Sequence, residues 1–167
     1  MPFNTLLLTC LSPKTSFQQQ GSGVFIEPQS GESILVFSID QGAGEFNKIV
    51  RQILNLGDEP ICDLIVYYAK DSKKVICFVE LKGQGSGVTR AIKQITTTYD
   101  GFKRSLKGST IGQHCQRLKI VWKAYIFHHG GSPSNIKKLC MEKLEREFKK
   151  GNYKICSDRD LGKFLRD

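Results

Sequence analysis

The sequence predicts an α/β domain, a β-sheet flanked by helices, and three observations carry that expectation. β-branched and aromatic residues dominate two runs, 61–68 and 74–81, divided by a short polar turn. Apolar residues recur at helical spacing in the segments before and after this pair. A further apolar run, 118–127, follows the second of those segments and has the character of a buried strand. At 167 residues the chain has the size of one domain, and 40% hydrophobic with 25% charged residues is the balance of a folded globular chain, not a disordered one.

Taken in order, the apolar run Thr5 to Leu11 reads as a buried strand: no basic region precedes it, and Pro13 and Lys14 follow soon after, unlike a secretory signal. Residues 12–23 have little to bury and read as a loop or flexible arm. Val24 to Glu27 and Ile34 to Ile39 are short β-rich runs separated by Pro28, Gln29, Ser30 and Gly31, the punctuation of a hairpin. Phe46, Ile49, Val50, Ile53 and Leu54 mark one face of an amphipathic helix that stops near Gly57. The runs 61–68 and 74–81 form a second hairpin around Ala69 to Lys73.

After Gly83 to Gly87, the residues Val88, Ala91, Ile92, Ile95, Tyr99, Phe102 and Leu106 trace one face of a helix of about five turns. Leu118 to Phe127 is the long strand, with Trp122 and Tyr125 expected in the core; Ser134 caps a helix reaching about Lys150, and a short strand and a helix at 161–165 complete the chain. The expected organisation is a single domain over 1–167, with strands and loop at 1–40, a core at about 41–128 and C-terminal helices at 134–167.

Several function classes fall away. No stretch approaches the roughly 20 apolar residues of a membrane span, so an intracellular protein, cytoplasmic or nuclear, is expected. The six cysteines are scattered without a C-x-x-C pair, which removes zinc ribbons and thioredoxin-like motifs and suits a reducing compartment. His114 with Cys115, and the pair His128 and His129, lack regular ligand spacing and read as ordinary surface and core residues. The glycine loop at 83–87 is neither a dinucleotide fingerprint nor a Walker loop.

Charge is more informative. Lys and Arg total 25 against 16 Asp and Glu, a net charge of +9 that favours a polyanionic partner, nucleic acid first. Lys82, Arg90, Lys93, Lys103, Arg104 and Lys107 face only Asp100 in sign, so more than half of the net charge lies in this one segment. A second basic group, from Lys137 to Lys150, is diluted by Glu142, Glu145 and Glu147 and reads as a solvated helix face.

The chemistry concentrates in the second hairpin. Asp63 lies early on its first strand and Glu80 late on its second, so antiparallel pairing brings both carboxylates to one end. Lys82 follows Glu80 by two residues and shares its face. Ile61, Leu64, Val75 and Val79 nearby make an inward-facing pair of like charges costly unless a cation compensates. Two carboxylates form a hard-oxygen site suited to Mg²⁺, with Mn²⁺ substituting, and Lys82 would orient an attacking water. Asp71 with Lys73 falls in a polar turn and Glu147 with Lys149 on a helix, so of the three acid-x-lysine pairs only Glu80 with Lys82 has this setting.

Asp63 on one strand and Glu80-Leu81-Lys82 on the next resemble the PD-(D/E)XK nuclease superfamily over roughly residues 41–128. Cys62 stands where that pattern carries proline, with Pro60 close by. The resemblance implies a restriction-endonuclease-like core, a mixed sheet flanked by helices in αβββαβ order, with the Leu81 carbonyl as a further metal ligand. It implies Glu45 as the extra carboxylate that members such as archaeal Holliday junction resolvases place on an upstream helix. Gln94 looks like the glutamine of the RecB-like and Cas4-like branch, which carries tyrosine four residues later, although here Tyr99 follows by five residues and Thr98 occupies the fourth position.

The expectation is therefore a metal-dependent nuclease, an endonuclease, with DNA favoured over RNA by resemblance. Gly83, Gly85 and Ser86 would offer backbone donors to phosphate, and Arg90, Lys93, Lys103, Arg104 and Lys107 would track the backbone. A homodimer or larger complex would help in cutting two strands. The competing expectation is a non-catalytic nucleic-acid-binding module or subunit that keeps the nuclease fold; a peripheral membrane protein is a third.

Overall fold

The structure is a computed structural model that describes residues 7–19, 22–40, 45–83, 87–107, 119–129, 136 and 138–167, the side chains of Gln19 and Phe46 excepted. Its elements are β1 (Leu11–Ser12), β2 (Ser16–Gln19), β3 (Ser22–Phe25), β4 (Ser33–Ser38), α1 (Glu45–Ile53), β5 (Leu64–Lys70), β6 (Lys73–Lys82), α2 (Val88–Lys107), β7 (Val121–His128), α3 (Lys138–Phe148), β8 (Tyr153–Cys156) and α4 (Leu161–Arg166). A six-stranded sheet runs β1-β4-β5-β6-β7-β8, and β2 and β3 form a separate two-stranded sheet.

The β5–β6 hairpin pairs Lys70 with Lys73, so the turn is only Asp71 and Ser72, with Asp71 in the left-handed region at φ 50°. β5 runs antiparallel to both of its neighbours, β4 and β6, whereas β7 runs parallel to β6, and β8 parallel to β7. A parallel neighbour requires a crossover, and α2 supplies it. The sheet is thus mixed and flanked by helices.

Strand periodicity divides the core into two layers. Ile65, Ile76, Phe78, Ala124 and Ile126 face α1, α2 and α3 through Val50, Leu54, Ile92, Ile95, Phe102, Leu144 and Phe148. Val66, Val75, Cys77, Val79, Tyr125 and Phe127 face the β2–β3 hairpin and α4 through Val24, Leu161, Phe164 and Leu165. Each fully covered side chain of this size contributes roughly 1.5–3 kcal/mol. Gly101 sits inside α2 because a Cβ there would lie 2.7 Å from Leu56 Cδ2 and 2.8 Å from the Leu54 carbonyl oxygen. That close approach seats α2 on the segment entering β5.

Tyr125 is a fully buried core residue, and Trp122 is half-buried, packed against the core through Phe78, Tyr99 and Phe102. Two lysines end α4: Lys73 donates to the Arg166 carbonyl and Lys123, 2% exposed, to the Phe164 carbonyl at 2.6 Å. Burial lowers the Lys123 pKa.

Several expectations are corrected. Residues 7–9 are helical and Leu8 is 88% exposed; of the apolar run only its last residue, Leu11, pairs with β4, joined by Ser12, because the preceding turn of helix carries the chain out of extended conformation. The arm at 12–23 is no loop: β2 and β3 pair there, and Phe17 packs on the second core layer. β3 therefore does not form a hairpin with β4; the turn at Gly31 carries the chain from one sheet to the other. Between α1 and α2 stand two strands, not three, because the third antiparallel strand, β4, precedes α1. Ser134, Gly85, Ser86, His114, Cys115, Leu118 and Lys137 lie outside the described residues. Among the described residues no helix is long and apolar enough to cross a membrane.

Candidate active site

Leu64 pairs with Val79, so one step further along the same antiparallel register Asp63 stands opposite Glu80. Glu80 and Lys82, two apart on β6, share the face that α2 covers. Leu64, Val75 and Val79 line the other face, and the apolar neighbours of the acidic pair are Ile65, Phe78 and Ile126. Asp63 is 4% and Glu80 1% exposed.

Each acid is held by the other's strand. The Leu81 N–H donates to Asp63 Oδ2 at 2.6 Å, and the Asp63 N–H donates to Glu80 Oε2 at 3.2 Å. Lys82 Nζ lies 2.5 Å from Glu80 Oε1 and donates to Gln94 Oε1 at 2.7 Å. Gln94 Nε2 in turn donates to the Ile61 carbonyl at 2.9 Å. Thr98, one helical turn on, accepts from the Cys62 N–H at 2.9 Å and donates to the Gln94 carbonyl at 2.8 Å. α2 therefore clamps the two residues that precede Asp63 and also the lysine that follows Glu80.

Two carboxylates and one ammonium, mostly out of water, do not balance. Burial, then the charge of Asp63, pushes the Glu80 carboxyl up to about 8, against the opposing pull of the Lys82 hydrogen bond and charge. Burial, then Glu80, raises the Cys62 thiol well above its ordinary value, so this cysteine is a packing residue beside the site.

The donor set suits a divalent cation. Asp63 and Leu81 both line a cavity of about 240 Å³, open enough for an ion with waters. A residue in an extended strand directs its N–H and C=O to the same side, so the Leu81 carbonyl faces the β5 side, where Asp63 accepts its N–H. Two carboxylates, a carbonyl and waters are the hard oxygens that Mg²⁺ takes. Among the described residues no three His, Cys, Asp or Glu side chains converge into a larger ligand group.

The remaining expected residues are distributed unevenly. Glu45 stands exposed at the first position of α1, and among the described residues no hydrogen bond or ion pair ties it to the acidic pair. Gly83 ends the described part of the loop after β6. Arg90, Lys93, Arg104 and Lys107 are exposed on α2, Lys93 within 3.8 Å of Glu59. At about 1.5 Å per residue, Arg104 and Lys107 lie roughly 25 Å from the first turn of α2. Lys103 is committed locally, donating to Tyr99 Oη at 3.0 Å, which raises its pKa.

Four contributions were invisible in the sequence. Asp40, just beyond β4, shares the cavity with Asp63 and accepts from Asn47 Nδ2 at 2.8 Å. Ser22 Oγ of β3 donates to the Lys82 carbonyl at 2.6 Å. Thr98, four residues after Gln94, ties the Cys62 N–H to the Gln94 carbonyl through its hydroxyl. His128 pairs across the sheet with Lys82, and its buried Nδ1 has no hydrogen-bond partner among the described residues. Consecutive strand residues alternate, so His129 turns instead to the Phe127 ring, at 6.1 Å, and the two histidines do not share a site.

No family model matches the chain, and no curated protein or solved structure does so either.

Proposed function

We propose that the protein is a metal-dependent nuclease of the PD-(D/E)XK type, an endonuclease that hydrolyses phosphodiester bonds, in DNA by preference. The observation that carries this is the buried constellation of Asp63, Glu80, Lys82 and Gln94 at one end of the sheet. A like-charged buried pair destabilises a fold unless something compensates, and such pairs concentrate at functional sites. The spatial order β4-β5-β6-β7, antiparallel on one side of β6 and parallel on the other, supports a restriction-endonuclease-like core in which the strand order is kept and a helix enters the chain between its first two strands.

Asp63, Glu80 and the Leu81 carbonyl would hold Mg²⁺. The ion supplies charge neutralisation at phosphorus and a more acidic water. Lys82 spends two donor directions on Glu80 and Gln94, which leaves its third N–H for the attacking water or a phosphate oxygen. Gln94 fixes that ammonium by bonding both Lys82 and the Ile61 carbonyl. The N-terminus of α2 and the exposed Arg90 and Lys93 would draw the phosphate backbone to this end of the sheet.

The test is incubation of the protein, and of a Glu80→Ala Lys82→Ala variant, with linear, circular, single-stranded and branched DNA and with RNA, in Mg²⁺, Mn²⁺ or EDTA. Cutting that needs the metal and is lost in the variant is expected. Binding of DNA without cutting in any metal would replace the enzyme with a non-catalytic binding subunit.

A further inference from the structure

The cavity of about 240 Å³ that Asp63 opens onto is larger than a metal with its waters requires, and its far wall is the N-terminal hairpin. Lys14, Ser16, Phe17 and Gln18 form that wall, and Asp40 and Asp63 lie opposite. Lys14, Ser16 and Gln18 are exposed, and Phe17 is half-buried on the second core layer. The hairpin is fixed in place: the Ile26 N–H donates to the Thr15 carbonyl at 2.8 Å, the Phe25 N–H to the Arg159 carbonyl at 2.9 Å, and Ser22 Oγ to the Lys82 carbonyl at 2.6 Å. A rigid wall is a preorganised one, so a ligand would bear little ordering cost there.

Any substrate whose phosphodiester lies at Asp63 and Glu80 must continue somewhere. On one face of the sheet stands α2; on the other, the cavity under the hairpin is the next space along. Its chemistry is that of a nucleoside. Two carboxylates disfavour a second phosphate inside but accept hydrogen bonds from the amino groups of bases. Gln18 and Ser16 offer both donors and acceptors, and the half-buried Phe17 ring offers an apolar contact for a base. Lys14 is the one cation among the described lining residues and fits the phosphate on the far side of that nucleoside. The volume falls below the roughly 300–1,000 Å³ of sites for drug-sized ligands, which suits one nucleoside and leaves no room for a base pair.

We propose that this cavity is a subsite for a single unpaired nucleotide adjacent to the scissile phosphodiester, so that the protein acts on single-stranded or locally unpaired nucleic acid in preference to intact duplex. The proposal rests on the nuclease reading for the position of the phosphodiester. An unpaired base enters at the least cost, whereas a duplex must first give up pairing and stacking of about a few kcal/mol.

The experiment separates binding from chemistry. Fluorescence anisotropy in EDTA compares a labelled single-stranded DNA oligonucleotide with the blunt duplex of the same length, for wild type and a Lys14→Ala Gln18→Ala variant, both positions being exposed and outside the buried core. Wild type is expected to bind the single strand at least about tenfold more tightly, and the variant to lose about tenfold on the single strand with duplex binding unchanged. Equal binding of the single strand by both proteins, or a wild-type preference for duplex, overturns the subsite. Cleavage in Mg²⁺ is read separately. Variant-sensitive single-strand binding without any cleavage removes the nuclease reading and keeps the cavity as a nucleotide site; cleavage of intact duplex at the single-strand rate, unaffected in the variant, keeps the nuclease and removes the subsite.

Discussion

Glu80→Gln keeps the shape of a 1%-exposed side chain and removes its titration, which makes it the sharpest probe of the candidate site. In the metal-free protein, burial and the charge of Asp63 raise the Glu80 carboxyl from 4.5 to about 8. Its folded value lies above its unfolded one, so its contribution to stability is complete below pH 4.5 and is lost as pH rises toward 8. That interval corresponds to at most about 5 kcal/mol, of which roughly 3 kcal/mol is already lost by pH 7; relaxation and water entry lower both figures. Urea unfolding in EDTA at intervals from pH 5 to 9 reads the effect. Wild type should lose up to about 1.4 kcal/mol per pH unit relative to Glu80→Gln, the slope of one proton. Replacing the carboxyl by an amide also changes the hydrogen bonding to Lys82 and so the variant's absolute stability, which makes the difference in slope the quantity of interest. Mg²⁺ should restore wild-type stability more at pH 8 than at pH 5, and should do little for the variant. Parallel curves for the two proteins would refute the account, because Glu80 would then have the same proton affinity folded and unfolded.

Two further perturbations test the surroundings. Thr98→Val removes the acceptor of the buried Cys62 N–H and should cost about 1–3 kcal/mol by thermal unfolding, while Thr98→Ser, which keeps the hydroxyl, should stay near wild type. Glu32, whose side chain is inaccessible beneath Arg166 and Tyr68, is held at about 2 chiefly by the Arg166 hydrogen bond; its stabilisation is present above pH 4.5 and lost as pH falls toward 2. Glu32→Gln should therefore lose at most about 3 kcal/mol at pH 7 and approach wild type at pH 2 to 3, as measured by the difference in melting temperature at the two pH values.

The elements that the sequence located best are those whose signal is local. α1 and α2 show apolar residues at helical spacing, and the β5–β6 hairpin has two β-rich runs about one polar turn; all three stand within a few residues of their expected limits. The shared face of Glu80 and Lys82 follows from strand periodicity alone and appears as a 2.5 Å ion pair. The expectation that failed first, a strand over Thr5 to Leu11, rested on apolar content without alternation, and content does not distinguish a buried run from an exposed helical one.

What the sequence by itself determined is the placement of two acids and a lysine at one end of a hairpin, because the period of a strand and the position of a turn are properties of neighbouring residues. Which strand lies beside which was decided by the tertiary structure alone: β3 leaves β4 to pair with β2, and β7 brings His128 beside Lys82. The Gln94 and Thr98 bonds to Ile61 and Cys62, across 33 and 36 residues, and the cavity between Asp63 and the N-terminal hairpin have the same origin. Such contacts are chosen by which distant apolar faces must cover each other, and no periodicity within one segment encodes that choice.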